Sequence, residues 1–155
     1  LLSIKDFQKD NYETFIKIIK IYLDILGFKN ISPLNSDDNK LTDFKCISNT
    51  DSILVSCAQN SLYGKEAKDE DDWETTGRPE QSFLARMYIN DCKKGIFITN
   101  SYFSDLAIEF VDNFNNKNQD VEIKLINGYE LTKSIRNHKY YILKEELLNE
   151  TKYNI

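Results

Sequence analysis

The sequence predicts an α/β domain, and three observations carry that prediction. Segments with apolar residues at helical spacing alternate with short apolar runs of strand length, capping signatures open several of the helices, and the composition is globular. Apolar residues make up 41% and charged residues 29% of the 155, with five Gly and two Pro, a balance that excludes a disordered or low-complexity chain. A chain of this length builds one core. The expected domain is therefore single, 1–155, with its core at about 10–136 and a helical extension at 137–155.

From Asp10 to Gly27, Phe15, Ile19, Tyr22, Leu23 and Leu26 line one helical face, Asp10 and Glu13 form a capping box, and Gly27 supplies a stop. A polar loop is expected from Asn35 to Lys40. Leu41 to Ser48 and Ile53 to Ala58 then read as two strands joined by a tight turn. Lys65 to Glu74 has no apolar periodicity and reads as a solvated loop or a mobile flap, the flap being favoured.

Pro79 suits the first turn of a second helix, whose stripe is Phe83, Leu84, Met87, Tyr88 and Cys92. Gly95 to Thr99 is short, apolar and without alternation, as expected of a central strand covered on both faces. Ser104 caps a third helix built on Ala107, Phe110, Val111 and Phe114, which ends at the Asn115 to Asn118 break. Val121 to Ile126 is a further strand, Asn127 and Glu130 form a second capping box before Leu131 and Ile135, and Tyr141 to Leu148 adds a fifth helix. The later strands are expected to be parallel.

Charge and cysteine usage narrow the function classes. Twenty basic against 25 acidic residues give a formal charge of -5, which argues against a phosphate-binding surface unless the basic residues are segregated. Cys46, Cys57 and Cys92 have no CxxC spacing and read as reduced core residues of a cytoplasmic protein. No apolar run is long enough to span a bilayer, so no membrane partner is expected. His138 lacks a second ligand at metal spacing, and Trp73 reads as a residue that pins its loop.

Several segments carry a family resemblance when taken in order. They are Thr76-Gly77-Arg78-Pro79-Glu80-Gln81, then Lys94-Gly95-Ile96-Phe97-Ile98-Thr99-Asn100-Ser101-Tyr102-Phe103-Ser104 with Ala107 and Glu109-Phe110, then Ile123 to Leu131. With the first helix they cover most of residues 12–136 and resemble the Mrr-like type IV restriction endonuclease domain of the PD-(D/E)xK nuclease superfamily. The resemblance implies a restriction-endonuclease-like three-layer fold, a central mixed sheet flanked by helices, and Mg²⁺-dependent hydrolysis of DNA phosphodiesters. That chemistry takes an Asp on one strand and a Glu or Gln plus Lys, one residue apart, on the next, so that the carboxylates hold one metal and the lysine, on the same face, orients or deprotonates the attacking water.

Carried onto this chain, the resemblance maps the metal-binding Asp to Asp43, the acid or amide to Ser56 and the lysine to Ala58. A hydroxyl is a poor ligand for a hard dication and a methyl group cannot orient water, so the site reads as degenerate, with Asp43 a remnant. Asp43 is equally an ordinary strand-start residue. Lys45, two residues from Asp43, is the candidate for a relocated lysine, against the plainer reading of a solvated strand residue. Glu13 matches an additional acidic position near the metal, although its capping role explains it as well. Arg78 and Gln81 are candidate phosphate contacts at a helix start, or loop punctuation. Thr99, Asn100 and Ser101 stand where α/β sheets place ligands, here DNA, or form a helix-entry turn.

Three functions follow as expectations. The first is a DNA-associated nuclease-fold domain without cleavage, needing no cofactor. The second is a protein-binding scaffold acting through its acidic segment, 66–74. The third is an active endonuclease using Mg²⁺ and Lys45. The resemblance also brings a homodimer into consideration, although no segment marks a dimer face.

Overall fold

The computed structural model describes residues 12–36, 41–59 and 79–137. The described residues form α1 (Tyr12–Ile25), β1 (Lys29–Ser36), β2 (Leu41–Ser48), β3 (Asp51–Ala58), α2 (Pro79–Ile89), β4 (Lys94–Thr99), α3 (Asp105–Lys117), β5 (Glu122–Ile126) and α4 (Gly128–Asn137). The five strands make one sheet in the order β1-β2-β3-β4-β5. The β1–β2 and β2–β3 pairs are antiparallel, and β3–β4 and β4–β5 are parallel. The mixed α/β sheet and the parallel later strands agree with the sequence expectation. The expected fifth helix and the acidic segment Lys65 to Glu74 lie outside the described residues, as do Asp10, Trp73 and His138.

Alternation along the strands divides the core between two faces. Phe44, Cys46, Ile53, Val55, Cys57 and Ile98 pack with Phe15, Ile18, Ile19, Tyr22 and Leu23 of α1 and Leu131 of α4. Leu54, Phe97 and Ile123 point the other way, to Phe83 and Met87 of α2 and Val111 of α3. The result is helix, sheet, helix. Every other β3 residue serves one face, which is why residues 53 to 57 are all buried despite the strand's antiparallel edge with β2.

Local chemistry fixes the element ends. Gly27 closes α1 in the left-handed region at φ 89°, with Phe28 N–H bonded to Leu23 O at 3.1 Å and Gly27 N–H to Asp24 O at 3.0 Å, a Schellman arrangement. The β2–β3 turn is tighter than expected, because Asp51 already pairs with Ser48 and Asn49 takes the strained φ of 57°. Ser104 accepts from Ala107 N–H at 3.1 Å at the start of α3, and Asn127 Oδ1 accepts from Glu130 N–H at 2.8 Å at the start of α4. Asn115, expected to break α3, stays helical and uses its amide to bond both N–H and C=O of Ile123 at 2.9 and 2.8 Å. That satisfies part of the otherwise unpaired edge of β5.

Two further expectations are corrected. The segment after Gly27 contains a strand, β1, that the sequence reading left out. It is an edge strand with exposed Lys29, Asn30, Ser32, Pro33 and Leu34, and register shifts flank Ser32 and Pro33. An edge strand tolerates proline and needs no apolar alternation, so periodicity carries no signal there. Tyr88, expected in the buried stripe of α2, is 86% exposed.

Gly95 is required by a close approach. A Cβ there would lie 2.6 Å from Met87 Sδ and 2.7 Å from Phe83 Cζ, with the ring held in the core. Gly95→Ala should therefore cost about 1–3 kcal/mol of stability by overpacking, read as a lower midpoint in urea unfolding at unchanged slope. An unchanged midpoint would mean that α2 moves off the sheet freely.

Candidate functional site

Asp43, Ser56 and Ala58, the residues that the resemblance singles out, lie on the α2 side of the sheet. Register sets Asp43 opposite Ser56, and Ser56 opposite Phe97 on β4. Ala58 lies two residues on, on the same side of β3, between Leu41 and Thr99. Asp43 is 2% exposed and Ser56 fully buried. Across the strand, Thr42 faces the opposite way and bonds the hydroxyl of Tyr12 on α1.

The residue that completes this cluster is Arg86, in the last turn of α2. Its Nε donates to Asp43 Oδ2 at 2.6 Å, its Nη2 to Ser56 Oγ at 3.1 Å and its Nη1 to Ser82 Oγ at 2.7 Å. The guanidinium also stands 5.7 Å from the centroid of the Phe83 ring. Lys45 Nζ donates to Asn90 O at 2.9 Å, and Asn90 Nδ2 donates to Arg86 O at 2.8 Å. Asp43 and Lys45, both on this face of β2, are thus each engaged by the end of α2. Asp43 Oδ1 is buried without a hydrogen-bond partner.

Asp43, Ser56, Lys45 and Ala58 therefore share one face, whereas Glu13 is exposed in the first turn of α1, the helix on the other side of the sheet. Arg78 lies outside the described residues and Gln81 falls in the first turn of α2. Thr99, Asn100 and Ser101 are all fully buried. Ser101 N–H donates to Thr99 Oγ1 at 3.2 Å, and Ser101 O accepts from Gly128 N–H at 2.8 Å, so this turn ties the end of β4 to the start of α4.

Sequence reasoning missed Arg86. Its only signal is a basic residue one place before Met87 in an apolar stripe, and which carboxylate it meets depends on how α2 crosses the sheet. Ser82 and Asn90 were missed for the same reason.

A divalent cation does not fit this donor set. Mg²⁺ wants six oxygens in near-octahedral array, usually including one or two carboxylates. Among the described residues one carboxylate is available here, its Oδ2 is held by a guanidinium, and the neighbouring hydroxyl is bonded to the same group. Among the described residues no three His, Cys, Asp or Glu side chains gather at metal-binding distance. The cysteines offer no alternative. All three are free and buried; burial raises the Cys46 thiol to about 11, and burial followed by the Asp43 carboxylate pushes the Cys57 thiol well up. Neither is a thiolate nucleophile near neutral pH. Among the described residues no helix is long and apolar enough to cross a membrane.

A search of curated proteins finds no match to the chain. A family model, Mrr_cat, described as restriction endonuclease, matches residues 8–135, which takes in α1, the whole sheet and most of α4. The five-stranded mixed sheet flanked by helices is consistent with this match, and the chain belongs to the Mrr-type restriction endonuclease family.

Proposed function

We propose that this domain is a DNA-associated member of the restriction endonuclease family that does not cleave DNA. The observation that supports the reading is the register of β2 on β3, in which Ser56 stands opposite Asp43 and Ala58 follows two residues on, the positions to which the resemblance assigns the acid or amide and the lysine. Hydrolysis of a phosphodiester at neutral pH needs a cation to stabilise charge on the phosphate and a group to orient or deprotonate water. Ser56 and Ala58 supply neither. Lys45, the candidate substitute, is bonded to Asn90 O at the end of α2. The site works without Mg²⁺ on this reading, and the free cysteines suit a reducing cytoplasm.

The test is purified protein incubated with methylated and unmethylated duplex DNA in Mg²⁺ or Mn²⁺. The expected result is no nicking above an Asp43→Ala control. Nicking that disappears in that control would overturn the reading, and loss of it in Lys45→Ala would assign the lysine. Binding is separable from cutting. A mobility shift whose affinity falls steeply with salt supports DNA association. A formal charge of -5 favours the competing scaffold reading, in which the acidic segment 66–74 engages a basic partner and no shift is seen.

A further inference from the structure

We infer that Arg86 is a built-in counter-ion that has taken the place of the metal at Asp43, and that it excludes divalent cations even when the missing ligands are restored. The inference rests on the non-cleaving reading of the site and goes beyond it, because Ser56 and Ala58 alone explain lost catalysis without explaining what now neutralises a buried carboxylate. Asp43 is 2% exposed, and a carboxylate at that depth persists only with a compensating charge. The guanidinium supplies that charge at 2.6 Å.

Each of the guanidinium's three nitrogens has a partner, in Asp43, Ser56 and Ser82. The planar fork is thus fixed in one orientation across β2, β3 and α2. A dication brought to Asp43 would meet a positive charge already bonded to the carboxylate, in a site with little water to screen it. Ser56 lies fully buried with its hydroxyl 3.1 Å from Nη2, so a glutamate at that position would extend onto the guanidinium. It would form a second ion pair there and leave its oxygens unavailable to a cation. The helix end is held independently, through Lys45 to Asn90 O and Asn90 Nδ2 to Arg86 O, which opposes the guanidinium swinging aside.

The experiment uses the full chain and Mn²⁺ alone, without DNA, and reads bound Mn²⁺ by electron paramagnetic resonance and calorimetry. The wild-type protein and Ser56→Glu/Ala58→Lys should bind no more Mn²⁺ than Asp43→Asn. Adding Arg86→Gln to the pair should tighten the Mn²⁺ dissociation constant at least about tenfold, the scale on which neighbours of metal ligands act. Equal Mn²⁺ binding with and without Arg86 would overturn the inference, as would no binding by a folded triple variant. If the triple variant fails to fold, the thermal midpoints of Arg86→Gln, Asp43→Asn and their combination decide. A counter-ion predicts that the double variant loses less than the sum of the two singles, and strict additivity refutes it. None of these outcomes depends on cleavage, so nicking by the wild-type protein would sink the functional reading separately.

Discussion

Arg86→Met should lower the free energy of unfolding by about 3–5 kcal/mol, the range for breaking one side of a buried ion pair. The opposing expectation is the 0–1 kcal/mol or so of a surface pair. Burial decides between them. Asp43 is 2% exposed and its Oδ1 is already without a partner, so removing the guanidinium leaves the carboxylate with neither charge compensation nor its Oδ2 bond. Arg86 is 18% exposed, which admits some water and places the loss toward the lower end of the range. Ser56 and Ser82 also lose their donor. Methionine keeps most of the stem's packing, so the change reports charge and hydrogen bonding and not a cavity.

The pair of Lys94 with Asp51 supplies the contrast. It has a comparable length, 2.9 Å, but its side chains are 51% and 50% exposed. Lys94→Met should leave the urea midpoint within error of the wild type, while Arg86→Met shifts it by well over half a molar at a slope of about 1–3 kcal/mol per molar. Similar shifts for the two variants would show that burial does not separate these pairs, and the counter-ion role of Arg86 would fall with that result.

Much of this fold was legible in the sequence because its signals are local. Capping side chains at Ser104 and Asn127 act over three residues, and the αL stop at Gly27 is a property of one residue. The unbroken apolar run from Ile96 to Ile98 marks a strand covered on both faces, and β4 lies inside the sheet. β1 was illegible because an edge strand draws its order from β2 and carries no pattern of its own. The site divides the same way. Period two puts Ser56 and Ala58 on one face and the family resemblance supplied Asp43 on the neighbouring strand, but Arg86 reaches Asp43 across 43 positions of sequence. A pairing of that range is set by the crossing of α2 over the sheet, to which helix periodicity is blind.

The platform beneath that crossing is aromatic, and Phe97→Ala should cost about 3–5 kcal/mol by leaving a cavity in it. Phe97 is 1% exposed on an interior strand, with the Phe83 ring 5.3 Å away at 63° and the Phe103 ring 5.7 Å away at 84°. Both contacts are edge-to-face, and each adds roughly 0.5–1.5 kcal/mol beyond area burial. Collapse cannot refill the space cheaply. Phe103 and Ser104 lead into a capped helix, and Phe83 already lies against the Gly95 backbone. Phe97 stands opposite Ser56 in register, and Phe83 lies under the Arg86 guanidinium, so the cavity opens directly below the ion pair. Stability loss in Phe97→Ala and Arg86→Met should therefore fail to add when combined, because the helix that presents Arg86 is already loosened. Urea unfolding of the two singles and the double measures this. A double variant losing the full sum would separate the aromatic platform from the ion pair, and the guanidinium would then owe its position to Asp43, Ser56 and Ser82.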